Sequence, residues 1–462
     1  MLLTGAMAVT LSGCGTVGAV KRSIFGGGSN EPKVLTGFIG GAVADEPRAA
    51  LAARQVLSTG GNAADAAVAL GFMLSVTLPS RASLGGGGAC LAYQPGTSTA
   101  NGGVPEAVMF VPGAPASAAG DRPAAVPMLV RGLYLLSARY GTRDFATLID
   151  PAEKAARFGI PVSRALALDL APVAGPLTAD PSTQPVFAPS GTPLTEGATL
   201  LQTDLAGTLA QIRSVGAGDM YQGLLAQKLV EGTAAAGGPV SGDDLRLSRP
   251  SLVPPITQDN GDDTVGFLPL PADGGLAAAA AFQVLRHDPS AIQAAGEASE
   301  AAAARFRAQG GAADALLASS GSAPPLPLLP ASTSFVVMDG KGGAVACALT
   351  ANNLFGTGRI APGTGILLAA SPSAKPAPLL AVSMAWSRTR HAFRAAVGGS
   401  GQNAAGLAAA YAMAQALGGG AAPAPEPGRA NTISCTSYLP GDSRSCRFIA
   451  DPRLAGLAAA GN

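Results

Sequence analysis

Apolar positions recur at helical spacing over residues 46–58 and stop at Gly60-Gly61. Asn62 follows as a cap with Asp65 at the capping-box position, so a second helix is predicted toward Val76, completing a helical hairpin. After Pro79, Ser83-Leu84-Gly85-Gly86-Gly87-Gly88 leads into an apolar run over 89–93, the pattern of a glycine loop feeding a buried strand. A phosphate-binding loop would need a Lys-Ser/Thr ending and a helix next; neither follows, so close backbone packing is the better reading. One-sided apolar faces bounded by Gly or Pro predict helices over 128–140, 145–158, 204–215 and 221–236. Residues 265–271 read as a strand entering the Asp273-Gly274-Gly275 turn, with a helix over 276–285. From 290 to 331 the chain is alanine-rich, then Gly/Ser/Pro-rich over 319–329, a solvent-exposed connector. A strand over 333–338, a Gly342-Gly343 turn and a strand over 344–350 then make a hairpin. No repeat points to a solenoid or propeller, and the alternation of strands and helices predicts a layered α/β fold.

Composition narrows the function classes. Across 462 residues, 48% are hydrophobic and only 13% charged, with 62 Gly and 37 Pro, which is a turn-rich globular composition. A net charge of +1 without any long Lys/Arg run excludes an electrostatic footprint for nucleic acid. His287 and His391 are the only histidines, too few for a multi-His metal site and a poor basis for a Ser-His-Asp device.

The opening residues are small and apolar up to Leu11-Ser12-Gly13-Cys14, the pattern of a bacterial lipobox whose Cys14 is lipidated. The stretch is too short to span a bilayer and lacks a positively charged start, which places the expected true start upstream; the alternative is a disordered apolar N-terminus. The reading is 1–14 as lipoprotein signal and 15–33 as tether, with a membrane partner through the lipid on Cys14. Gly15 after Cys14 tilts the expected location toward the outer membrane, on the periplasmic side. Cys90 and Cys347 fall in apolar runs and read as inert buried thiols, whereas Cys435 and Cys446 flank a Pro-Gly-Asp-Ser turn. There the alternatives are a disulfide, suited to an oxidising periplasm, or two free thiols.

Further segments carry a family resemblance. Asn62-Ala63-Ala64-Asp65-Ala66-Ala67-Val68-Ala69 and Ser83 to Gly88 resemble two signature segments of the gamma-glutamyltranspeptidases. Phe355-Gly356-Thr357-Gly358, Gly365-Ile366-Leu367-Leu368 and the closing Ala450-Asp451-Pro452-Arg453 with Gly456 follow the same family's order. The resemblance implies a four-layer αββα sandwich of the N-terminal-nucleophile hydrolases, with 34–331 as the large-subunit part and 332–462 as the small-subunit part.

In that family a precursor cleaves itself before a nucleophilic Thr, whose freed α-amine serves as base, and no cofactor or metal is required. The ungapped register puts the nucleophile at Ser332, after Ala331, with Thr333 next and Ser334 where a His is usual; a shift of one makes Thr333 the nucleophile. By the same resemblance Thr350 supports the nucleophile, Asn352 contacts substrate, and Gly401 with Gln402 marks the oxyanion region. The charged equipment for a glutamyl group is missing: Val111 replaces the arginine, Ala374 falls where an acid is expected, and Leu380-Ala381 replace paired serines. Two readings follow. One is a self-cleaving envelope amidohydrolase or acylase acting on a small, less polar amide or peptide; the other is an inactive relative serving as accessory subunit of an envelope protein complex.

Overall fold

The computed structural model describes residues 35–96, 103–321, 323–453 and 456–461, so Cys14 and the lipobox lie outside the described residues. Glu46 accepts a hydrogen bond from the Ala49 N–H and so caps helix α1 (Pro47–Ser58), while Asn62 and Asp65 form the reciprocal capping box of α2 (Ala63–Thr77). Helices α3 (Leu129–Tyr140), α4 (Phe145–Phe158) and α5 (Thr203–Val215) match the sequence expectation within a residue or two. The helix expected over 221–236 is instead two, Asp219–Gln222 and Leu224–Ala235. The Asp219 carboxylate accepts the N–H groups of Leu224 and Leu225 at 3.1 and 3.2 Å, capping a fresh start after Gly223.

Among the described residues, thirteen strands build the two large antiparallel sheets. They are β1 (Gly40–Ala44), β2 (Gly87–Tyr93), β3 (Glu106–Phe110), β4 (Ser251–Val253), β5 (Ile256–Asn260), β6 (Asp263–Phe267), β7 (Thr333–Asp339), β8 (Ala344–Thr350), β9 (Ala381–Ser387), β10 (Ala392–Ser400), β11 (Arg429–Leu439), β12 (Cys446–Ile449) and β13 (Leu457–Gly461). The first sheet runs β13-β1-β7-β8-β2-β3-β4 and the second β12-β11-β10-β9-β6-β5. Residues on either side of 331 therefore contribute to both sheets, and in the first they interleave.

Side-chain alternation along the strands fixes the layers. In β7, Phe335 and Val337 join a core with α1 to α5, whereas Val336 and Met338 face a core between the two sheets. In β9, Val382, Met384 and Trp386 fill that inter-sheet core, and Ala381 and Ala385 pack outward on helices α6 (Asp273–Leu285), α7 (Ile292–Gln309) and α8 (Ala405–Leu417). Helix, sheet, sheet, helix is the αββα arrangement. Small residues suit it, because alanines let α6, α8 and the second sheet approach closely.

Two expectations are corrected. The connector after α7 holds a further helix, Ala313–Ala318, and its end is anchored: Leu329 is buried and Leu326 packs against the second helix-sheet core. Cys90 and Cys347 are not free thiols. They occupy partner positions on β2 and β8 and form a disulfide, a pairing that depends on register. Cys435 and Cys446 are likewise partners, on β11 and β12, and are disulfide-bonded.

Candidate active site

Asn403 accepts a hydrogen bond from the Leu329 N–H at 2.9 Å and donates to the Pro327 carbonyl at 3.1 Å, guiding the connector into the sheets. The chain then runs through Ala331 and Ser332 into β7. Ser332 is buried. Leu349 pairs with Thr333 across β7 and β8, so Thr350, one residue further, comes opposite Ser332. Gly86 lies behind Thr350, and a Cβ there would come within 2.2 Å of the Thr350 carbonyl oxygen. The glycine run of the sequence is thus a close-packing device, as its composition suggested.

Thr333 is buried and its hydroxyl donates to Asp45 Oδ2 at 2.8 Å. The same carboxylate accepts from the Ser334 N–H at 3.5 Å and, through Oδ1, from Asn431 Nδ2 at 2.7 Å. Asn431 also donates to the Ser334 carbonyl at 2.9 Å, so β11 of the second sheet is tied to β7 of the first. Burial pushes Asp45 above the ordinary carboxylate value, while Arg81, Asn431, Thr333 and the Ser334 N–H act against that rise. Arg81 is itself held by Asp169 through bonds of 2.7 and 2.6 Å, and Ser80 donates to the same acid at 2.6 Å. Sequence reading missed Asp45 and Asn431. Asp45-Glu46-Pro47 reads as a helix start, and only the structure separates the cap, Glu46, from its inward-turned neighbour.

Thr350 Oγ1 accepts the Asn352 N–H at 2.7 Å. Asn352 has a left-handed backbone with φ 57°, and its Nδ2 donates to Pro112 and Ala370 carbonyls at 3.2 and 3.0 Å. Those two acceptors fix the amide's orientation, and among the described residues its buried Oδ1 has no partner. β10 ends at Ser400; Gly401 comes next with φ +110°, and Gln402 follows with φ 56°. A turn of two successive left-handed residues thus leads into α8, and Gln402 bears an angle that favours glycine. Ser332, Thr350 and Asn352 are brought together along one end of β7 and β8, and Asn403, next after the Gly401-Gln402 turn, grips the connector that leads to them.

The positions where a glutamyl clamp was expected carry no charge. Leu380 belongs to the inter-sheet core, Ala381 to the second helix-sheet core, and Val111 packs against the inter-sheet core. Ala374 lies in a short turn in which its N–H and that of Lys375 donate to the Ser371 carbonyl. Among the described residues no cluster of three His, Cys, Asp or Glu could hold a metal ion. No described helix is long and apolar enough to cross a membrane.

A family model for gamma-glutamyltranspeptidase matches residues 49–308. The chain is 29% identical over 369 residues to the glutathione hydrolase proenzyme of Escherichia coli, covering 68% of this chain and 63% of that protein. It is 32% identical over 246 residues to the acylase ACY 1 proenzyme of a Pseudomonas species, covering 49% and 44%. The matched part is 43% of the Bacillus subtilis glutathione hydrolase proenzyme, so the chain spans about half the length of the curated relatives it matches. Among solved structures, cephalosporin acylase from Bacillus halodurans superposes with a TM-score of 0.75 at 20% identity, over 93% of this chain and 97% of that one. Helicobacter pylori gamma-glutamyltranspeptidase gives 0.54 at 29% identity, over 61% and 87%. The fold is that of the N-terminal-nucleophile hydrolases.

Proposed function

Because this chain belongs to the gamma-glutamyltranspeptidase family, we propose that it is an N-terminal-nucleophile amidohydrolase or acylase of the cell envelope that cleaves itself between Ala331 and Ser332. The observation that carries this reading is the position of Ser332: it follows an anchored connector, immediately precedes β7, and falls opposite Thr350 when the Leu349–Thr333 register is continued by one residue. The Thr333 hydroxyl already donates to Asp45, which favours Ser332 as the reacting group.

Ser332 Oγ attacks the Ala331 carbonyl carbon and its proton passes to the Ser332 nitrogen. The C–N bond breaks as an ester forms. Water then hydrolyses that ester, leaving the Ala331 carboxylate, the Ser332 hydroxyl and a free α-amine. With a pKa of roughly 7.7 to 8.0, that amine accepts the hydroxyl proton when Ser332 attacks an external amide. Backbone N–H groups of the Gly401-Gln402 turn stabilise the oxyanion of each tetrahedral intermediate. Asn352 Oδ1, buried and unpartnered among the described residues, accepts a donor from the substrate.

The substrate is a small amide or peptide less polar than a glutamyl group. A glutamyl zwitterion would find no charged partner at Val111, Ala374, Leu380 or Ala381, and would lose roughly several kcal/mol of hydration without one. Lipidation of Cys14 anchors the chain on the periplasmic side, by preference at the outer membrane, and two disulfides suit an oxidising compartment.

The test is a denaturing gel with reductant, run on protein purified from native membranes. Two fragments meeting at Ala331-Ser332, and an uncut chain in Ser332→Ala, are expected; an uncut wild type would sink the reading. The lack of charge at Val111, Ala374, Leu380 and Ala381 favours a second reading, an inactive accessory subunit of an envelope protein complex. That reading expects an uncut chain that co-purifies with another envelope protein.

A further inference from the structure

Asp45 is a buried carboxylate whose hydrogen-bond partners lie on two strands, β7 and β11, one in each sheet, and nothing in the proposed reaction has yet used it. Its two oxygens accept from the Thr333 hydroxyl, the Ser334 N–H and Asn431 Nδ2. Three donors around one carboxyl group fit its ionised, acceptor-only form. Two of them belong to the residues that directly follow Ser332. Asn431 adds a bond to the Ser334 carbonyl, so the first peptide units of β7 are held from both sheets.

We propose that Asp45, oriented by Asn431, is a positioning residue for self-cleavage: it fixes Thr333 and Ser334 so that the Ser332 hydroxyl meets the Ala331 carbonyl. This rests on the cleavage reading above. The nucleophile and the carbonyl it attacks belong to adjacent residues, so their approach is governed by the backbone angles at Ser332. Anchoring the next two residues restricts those angles, and the oriented pair reacts as an intramolecular, pre-aligned one.

Burial disfavours the charge on Asp45, and Arg81 with the three hydrogen-bond donors acts in its favour. Arg81, from the loop after α2, is the cation within electrostatic reach, and Asp169 of helix Arg164–Leu170 holds that guanidinium in place. Its acidic neighbour Glu46 is turned away to cap α1. Burial raises the Asp45 value above 3.8, so the ionised form required for positioning is lost at a less acidic pH than for an exposed aspartate.

The experiment follows the cleavage rate of freshly refolded full chain on reducing gels, from acidic to neutral pH. Asp45→Asn, which leaves the shape but removes the charge, and Thr333→Val, which removes the hydroxyl, are each expected to slow cleavage roughly a hundredfold. Thr333→Ser keeps a hydroxyl and is expected to restore most of the rate. The wild-type rate should fall on the acid side with the protonation of Asp45, and the Asp45→Asn rate should show no such limb. Should Asp45→Asn fail to fold, Thr333→Val and Thr333→Ser decide. Folded variants that cleave at the wild-type rate with the wild-type pH profile overturn the role of Asp45 and leave self-cleavage standing. An uncut wild type overturns the cleavage reading and this role with it.

Discussion

The Gly401 turn offers a prediction whose size can be worked out from local geometry. In Gly401→Ala the new Cβ would lie 2.6 Å from the Pro427 carbonyl oxygen and 2.8 Å from Gly428 Cα, both backbone atoms. Such contacts cannot be relieved by turning a side chain. Overpacking of this kind costs roughly 1–3 kcal/mol. The positive φ of 110° adds a left-handed penalty of roughly 1–2 kcal/mol for an L-residue. Urea unfolding should therefore show a loss of about 2–5 kcal/mol. If the turn relaxes by moving, the N–H groups proposed above to stabilise the oxyanion are displaced, and self-cleavage should slow by about a hundredfold. Both quantities are measured on one preparation, stability by urea titration and cleavage by reducing gel. A variant as stable as wild type would refute the packing argument. A destabilised variant that cleaves at the wild-type rate would refute the assignment of the oxyanion donors to this turn.

Asp169→Ala leaves Arg81, with 16% of its side chain exposed, without the acid that holds it in two bonds. Breaking a buried pair from one side costs about 3–5 kcal/mol, read as a lower urea midpoint, and a loss below about 1 kcal/mol would show that solvent reaches Arg81. Glu153 supplies a pH signature. Burial raises its value, but Arg213 and Arg157 outweigh that and leave it below 4.5. A depressed folded pKa gives stability that is present above 4.5 and lost as pH falls through the lower folded value. Glu153→Gln should therefore be less stable than wild type near neutrality and show a shallower acid decline, measured as thermal midpoint against pH.

Local signals in the chain carried much of the architecture. The Asn62–Asp65 capping box and the glycine-bounded hairpin of β7 and β8 are short-range features, and both formed where the pattern put them. Long-range pairing was not legible. Cys90 and Cys347 each read correctly as buried strand residues, yet their bond depends on β2 lying beside β8 in one particular register, the two residues being 257 positions apart. The same applies to Asp45, whose partners are Thr333, Ser334 and Asn431. A buried carboxylate is recognisable only once the donors that surround it have been brought in from distant segments. The connector shows the opposite error: its Pro/Gly/Ser texture suggested exposure throughout, but Leu326 and Leu329 are apolar enough to dock its end.

The Cys90–Cys347 bridge joins residues on opposite sides of Ala331-Ser332, and this alters what self-cleavage would do to the molecule. In the uncut chain the bridge closes a covalent ring. Hydrolysis at Ala331-Ser332 would open that ring without releasing either piece, giving one molecule with two amino and two carboxyl ends, heavier by a single water. Without reductant, its unfolding and refolding would remain unimolecular and independent of protein concentration. With reductant, the pieces would part on unfolding, and reassembly would become bimolecular and dilution-sensitive. Maturation would thus create a fresh terminus at the nucleophile while retaining the kinetics of a single chain.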